Sequence, residues 1–403
     1  MIKASQRTQA VDYAIREIVV PARKLEQKGI KVIHLNIGDP NKYDFDTPQH
    51  MKDALYKATM DRFNGYAPSE GNFELRKAII EREKKRNNVD YSLNDICICT
   101  GVTEALQTLL TAMLDPKDEL LIPGPTYPQY FLITRVMGAK PVSYQCNEEE
   151  SWQPDVEDIR KNISKHTKGI VLINPNNPTG ALYSKKVVQK IIDIAGEHNI
   201  PIISDEIYDD MVFDEKQQAT ATLAEQDIPV ITFNGFSKVY LVPGWRMGYI
   251  LFHHTGELDE IQDAFMRLAR SRLCANSVCQ HACIAALKGP QDHIEKVNQK
   301  LRQRRDFSYK RLNEIDGIST AKPQGAFYIF PKIEAMEKNI WKTDKEFVLD
   351  LLHTAHVLVV HGSGFCPTYG KNHFRAVILP DIDTLGEAFN KLESFIKMRT
   401  KGK

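Results

Sequence analysis

Residues 234–249 read NGFSKVYLVPGWRMGY, and they hold Lys238 and Arg246 eight positions apart among apolar and aromatic neighbours. The two cations lie on either side of a Pro-Gly turn, just after the strand-like run PVITF. A lysine in such surroundings is costly as a free ammonium. It is usually paired, deprotonated or used covalently. A desolvated lysine suits condensation with a carbonyl, and an arginine nearby suits an anion such as a phosphate.

Three other apolar runs end in polar or turn residues. One reaches Thr100-Gly101-Val102-Thr103, one reaches NPNNPTG at 174–180, and one reaches Ser204-Asp205-Glu206-Ile207-Tyr208. In open parallel sheets ligands lie outside the carboxyl ends of the strands. If these strands are neighbours, one crevice holds a lysine, an aspartate, a tyrosine, an asparagine and a helix N-terminus. Taken singly, each has a plainer reading. Asn177 and its prolines shape a turn, Asp205 caps a helix, and Thr100-Gly101 joins a strand to a helix. Taken together they meet the needs of pyridoxal 5′-phosphate. That cofactor needs a Schiff-base lysine, a carboxylate against its ring nitrogen and hydrogen bonds to its phenolic oxygen. It also needs an aromatic on the ring face and a phosphate cradle.

The elements that must position these residues follow a strand–helix rhythm from about residue 95. DICICT, DELLIP, KPVSYQC, GIVLI, IPIIS and PVITF read as strands, and GVTEALQTLLTAMLD and KKVVQKIIDIAGEHN read as helices. Alternation of this kind predicts an α/β fold with a mostly parallel sheet and helices on both faces. Runs such as GIVLI and IPIIS are apolar on both faces, as buried parallel strands require. After Gly289-Pro290 a long charged helix leads to the shorter strands GAFYIF, VLVVHG and HFRAVIL, which resemble a smaller α+β unit. The expected division is a large domain over 48–290 and a small one built from 1–47 and 291–403. Near the N-terminus, Val11, Ile15, Ile18 and Val19 suggest an amphipathic helix docked on the body.

Composition removes several function classes. Lys+Arg is 53 against Asp+Glu 52, so there is no global pull toward nucleic acid or an anionic membrane. No apolar run approaches the roughly 20 residues of a membrane span, and the first residues lack a signal-peptide core. The seven cysteines have no zinc-site spacing with histidines behind them. They read as buried free thiols of a cytoplasmic protein.

The sequence resembles the fold-type I pyridoxal-phosphate aminotransferases of the aspartate aminotransferase superfamily over nearly its whole length. Ser237-Lys238 followed by Pro243-Gly244-Trp245-Arg246-Met247-Gly248 is similar to that family's lysine signature. The resemblance implies Lys238 as the cofactor lysine and proton carrier, with Arg246 and Ser237 on the phosphate. It implies Asn177 and Tyr208 on the phenolic oxygen, Asp205 on the ring nitrogen, Val102 and Thr103 in the phosphate turn, and Tyr127 on the ring face. LNIGDP places Gly38 at the substrate α-carboxylate, and HFRAVIL places Arg375 there as a bidentate clamp. NGYAPSEG places Tyr66 at the cofactor phosphate of a neighbouring subunit, which implies a homodimer with shared sites. One position departs from many relatives: Gly235 stands where they carry a serine that binds the phosphate.

The implied reaction is a ping-pong exchange between amino acids and 2-oxo acids. The opening YAIREIVVPARKLEQKGIKVIHLNIGDP, with SRLCAN and KPQGAFYIFPKIE, resembles alanine aminotransferases of the archaeal and bacterial type. That implies L-alanine plus 2-oxoglutarate giving pyruvate plus L-glutamate. One pocket must then take alanine's methyl and glutamate's second carboxylate. Arg16, beside Tyr13, is the candidate mobile cation for the distal carboxylate; Arg272 is the second candidate, and a solvated surface role for Arg16 stays open. Aspartate or aromatic aminotransferases and carbon–sulfur lyases share the fold. A pyridoxal-phosphate-sensing regulator would need a DNA-binding unit, and the roughly 30 residues before LNIGDP are few for one.

Overall fold

The computed structural model describes residues 2–5, 7–8, 13–224 and 228–401. Strand β1 (Ile33–His34) precedes the strands of the main sheet. These are β2 (Ile96–Cys99), β3 (Glu119–Gly124), β4 (Lys140–Asn147), β5 (Gln153–Pro154), β6 (Thr167–Ile173), β7 (Ile202–Asp205), β8 (Val230–Gly235) and β9 (Gly248–His253). Their spatial order is β2-β9-β8-β7-β6-β3-β4-β5. The run from β8 through β4 is parallel, whereas β9 is antiparallel to both of its neighbours and β5 is antiparallel to β4.

Both faces of this sheet are covered. Ile96 and Ile98 of β2 pack into one apolar cluster, and Cys97 and Cys99 of the same strand pack into another. That alternation follows from the period-2 pleat of a strand. Helix Lys185–His198 starts where the Ser184 hydroxyl accepts from the Val187 N–H, and it buries Val188, Ile191, Ile192 and Ala195 at helical spacing. All seven cysteines are free thiols; six are buried and Cys274 is half-buried.

Strand β9 is the element that the strand–helix rhythm does not announce. No α-helix separates GYILFH from β8, only one 3-10 turn at Pro243–Trp245. The chain leaves β8 at Gly235, makes a loop over residues 236–247, and returns beside itself at Gly248, which pairs with Gly235. Because β9 runs backward, the loop carrying Lys238 and Arg246 starts and ends at one edge of the sheet.

Beyond residue 290 the helices Asp292–Asn313, Asp344–Ala355 and Ile382–Thr400 pack with short strands. These are β10 (Ile318–Ser319), β11 (Tyr328–Ile329), β12 (Lys332–Ile333), β13 (Val357–Leu358), β14 (Val360–His361) and β15 (Phe374–Val377). An antiparallel sheet runs β11-β15-β14, and β1 pairs in parallel with β13. The fold is therefore α/β with a smaller α+β layer. Near the N-terminus the chain forms two short helices, Ala14–Glu17 and Val19–Glu26, with Ile15 and Ile18 buried and Val19 half-buried. Val11 lies outside the described residues.

Candidate active site

The register of the sheet brings four strand ends together. Ile173 pairs with Asp205, Asp205 with Phe233, Gly235 with Gly248, and Gly248 with Cys99. The loops after β2, β6, β7 and β8 therefore open onto one edge, where a cavity of about 480 Å³ lies. Tyr13, Arg16, Gly38, Val102, Thr103, Tyr127, Asn177, Asp205, Tyr208, Ser237, Lys238, Arg246 and Arg375 all line it.

Lys238 donates from Nζ to the Gly38 carbonyl at 3.0 Å and lies 5.3 Å from the centre of the Phe327 ring. Burial lowers its pKa to about 8, and the positive charges of Arg375 and Arg246 act in the same direction; Asp39 and Asp205 oppose them. Near pH 7 the lysine is thus still mostly protonated, but far more of it is neutral than of an ordinary lysine, which favours its use as a nucleophile or base. Asp205 is wholly buried, which raises its carboxyl pKa to about 6 against the pull of its hydrogen bonds. Its Oδ2 accepts from the Tyr130 hydroxyl at 2.8 Å and its Oδ1 from the Ile207 N–H at 3.2 Å. At neutral pH the carboxylate remains ionised and able to accept a hydrogen bond from a cationic ring.

Arg375 is 1% exposed. Its Nη1 donates to Asn177 Oδ1 at 3.0 Å and its Nη2 to the Asn36 carbonyl at 2.5 Å, while Nε has no partner among the described residues. The guanidinium lies 4.5 Å from the Tyr328 ring centre and 4.8 Å from that of Phe365. Among the described residues no carboxylate lies within ion-pair distance of it. A buried guanidinium without an anion is costly unless a ligand supplies one. Its planar fork matches a carboxylate.

The second cationic corner is built on glycines. Helix Val102–Met113 starts after Gly101, which has φ 77° and gives no side-chain cap. A Cβ on Gly101 would lie 2.5 Å from Arg246 Nη2, so only glycine lets the guanidinium rest against the helix start. First-turn N–H groups plus a guanidinium form an anion cradle. Gly235 is also explained by backbone contact. A Cβ there would lie 2.8 Å from the Met247 carbonyl oxygen and 2.9 Å from Gly248 Cα. A side chain at this position, a serine included, has no room in this chain.

A family model, Aminotransferase class I and II, matches residues 30–392. This chain belongs to that family. The alanine aminotransferase of Pyrococcus furiosus has 56% identity and a TM-score of 0.96, covering 98% of this chain and 100% of its own. The glutamate-pyruvate aminotransferase AlaA of Escherichia coli K12 is 38% identical, covering 98% of each chain. The aspartate aminotransferase of Bacillus subtilis is 34% identical over 94% of this chain and 95% of its own.

Two candidate residues of this aminotransferase lie outside the cavity. Tyr66 is 84% exposed on the surface. Arg272 donates to the Ile98 carbonyl at 2.6 Å and pairs with Glu104 at 3.3 Å, which ties it to the end of β2. It does not reach this chain's own cavity. Arg16 is exposed at the cavity wall, and Tyr13 meets Tyr127 hydroxyl to hydroxyl at 3.2 Å.

Sequence reasoning missed Tyr130, Tyr328 and Asp39, all of which line the cavity. Tyr328 meets the Tyr208 hydroxyl at 2.9 Å as well as stacking on Arg375. Tyr130 lies three residues after Tyr127, and its N–H donates to the Tyr127 carbonyl at 3.2 Å as the chain turns into the helix Gln129–Val136. Asp39 follows Gly38 directly. Among the described residues no group of His, Cys, Asp or Glu is arranged to hold a metal ion, and no helix is long and apolar enough to cross a membrane.

Proposed function

We propose that this aminotransferase uses pyridoxal 5′-phosphate to exchange the amino group between L-alanine and 2-oxoglutarate, giving pyruvate and L-glutamate. The observation that carries the reading is one cavity holding a lysine whose pKa is lowered by burial and a buried guanidinium with no carboxylate partner among the described residues. The donor set fits the cofactor. Arg246, Ser237 and the helix start at Val102 and Thr103 would hold its phosphate. Asp205, fixed by Tyr130, would meet its ring nitrogen. Asn177 and Tyr208 would meet its phenolic oxygen, and Tyr127 would cover one ring face. When bound, the cofactor supplies an aldehyde that condenses with amines and a ring that withdraws electrons from the substrate α-carbon.

The chain's own residues do the rest. Arg375 and the backbone at Gly38 orient the α-carboxylate. Lys238 Nζ takes the proton from the α-carbon in one half-reaction and delivers one to the α-carbon in the other. Arg16 and Tyr13, at the cavity wall, would meet the distal end of the substrate. An exposed arginine can swing toward glutamate's second carboxylate and away from alanine's methyl. Alanine as donor is supported by the names of the Pyrococcus and Escherichia relatives.

The working form is proposed to be a cytoplasmic homodimer in which Tyr66 reaches the partner's cofactor phosphate. Exposed Tyr56, Met60, Phe63, Phe73 and Leu273 support a covered apolar surface there. The proposed division into 48–290 and a second unit of 1–47 plus 291–403 is supported by the β1–β13 pairing. An amino-donor screen on the purified protein with pyridoxal phosphate tests the function, read by visible absorbance. Alanine and glutamate should both change the spectrum. Silence with every amino acid would remove the reading, and a response to aspartate that exceeds alanine's would reassign the donor.

A further inference from the structure

The β7–β8 ladder ends with Asp205 opposite Phe233, and the Glu206 N–H then donates to the Phe233 carbonyl at 2.9 Å. Past that point the next link between the two catalytic segments is made by side chains. Asn234 Nδ2 donates to Asp209 Oδ2 at 2.9 Å. Asp209 directly follows Tyr208, and Asn234 lies four residues before Lys238. Both are buried, at 0% and 3% exposure.

Each end of this link is fixed elsewhere. Arg82 Nη2 donates to the same Asp209 Oδ2 at 2.6 Å, and Arg86 Nη2 donates to the Asp209 carbonyl at 2.9 Å. Burial pushes the Asp209 carboxyl upward, but Arg82 and Arg86 outweigh it and hold the group below the usual carboxylate range. Asn234 Oδ1 accepts from the Gly235 N–H at 2.7 Å, which fixes which way the amide faces. The helix Phe73–Asn87, whose residues do not line the cavity, therefore anchors both segments that do.

We propose that Asp209, held by Arg82 and Arg86 and bonded to Asn234, is a positioning residue that fixes the distance from Asp205 and Tyr208 to Lys238. The proposal rests on the roles given above to those three residues. Burying an ion pair of this kind adds little net stability, and it fixes geometry when its hydrogen bonds are complete. Reacting groups must be held to within about 0.5 Å, and a displacement of about 1 Å costs roughly 100-fold in rate.

Asn234→Ala removes the link and leaves the Asp209–Arg82 pair intact. The expected result is a kcat lower by about 10-fold or more with KM changed less than about 3-fold. The pH midpoint of the bound cofactor's visible band should also move, while Tm changes little. Asn234→Asp sets two carboxylates face to face and should lose more. The double variant Asn234→Asp/Asp209→Asn restores a hydrogen bond between the same positions and should recover part of that loss. An unchanged kcat and band midpoint in Asn234→Ala would overturn the proposal. So would a loss that follows only the fraction of folded protein. A wild-type protein that forms no band and answers no amino acid would instead overturn the function reading itself.

Discussion

Gly235 faces Gly248 across the antiparallel β8–β9 pair, and a Cβ on Gly235 would lie 2.9 Å from Gly248 Cα. A Cβ on Gly248 would in turn lie 2.8 Å from the carbonyl carbon of Gly101. Three backbone segments thus close on one another, and the anion corner at Arg246 and Val102 is built on that contact.

Gly235→Ser would add a hydroxyl beside the anion corner, yet it is expected to weaken the protein. The new Cβ meets backbone atoms, which cannot rotate away. Overpacking of this kind costs roughly 1–3 kcal/mol. Denaturant titration should show the loss, and equilibrium dialysis should show weaker retention of pyridoxal phosphate. A variant as stable as wild type with tighter cofactor retention would contradict the steric account.

Lys238 makes a prediction about pH. With a pKa lowered to about 8 by burial, the free lysine is mostly protonated below that value. Only the neutral amine attacks a carbonyl. The rate at which protein stripped of cofactor captures pyridoxal phosphate should therefore rise about tenfold per pH unit up to about 8 and level off above it. Stopped-flow absorbance measures it; a rise continuing to pH 10 would mean an ordinary lysine. Lys238→Ala should lose the visible band and about 10³-fold or more of the rate.

Much of this site was legible because its residues sit in short local motifs at strand ends. Asn177 in NPNNPTG, Asp205 and Tyr208 in DEIY, and Lys238 in FSK each need only their own loop to be recognised. Tyr328 was not legible. Its partner Tyr208 is 120 residues away and the contact exists only after the smaller layer docks. The two-residue strand Ile33–His34 carries no periodicity to read, whereas Val357–Leu358 falls inside the run VLVVHG that reads as a strand. β9 escaped for a different reason. An antiparallel return after a loop breaks the alternation of strand and helix on which the reading of the main sheet relied.

Arg375 should act on every substrate alike, because all carry an α-carboxylate. Arg375→Lys keeps the charge and loses the fork that also donates to Asn177 and Asn36. The expected outcome is a fall in kcat/KM of about 100-fold for alanine and for glutamate together. Steady-state assays with each donor check it. A loss confined to one donor would move the α-carboxylate clamp to another residue.

Arg16 should act on only one kind of substrate. It is exposed at the cavity wall, so removing it leaves no buried group unpaired and the fold should survive. Glutamate and 2-oxoglutarate carry a second carboxylate that can meet the guanidinium, whereas alanine and pyruvate present a methyl there. Arg16→Ala should therefore raise KM for the dicarboxylates by about 10-fold or more, the size of one charge-assisted pair, and leave alanine and pyruvate within about 2-fold. Higher ionic strength should imitate the variant with the wild-type protein, because an exposed charge is screened. Equal changes for both substrate pairs would remove Arg16 from the distal carboxylate and leave dual specificity to another residue.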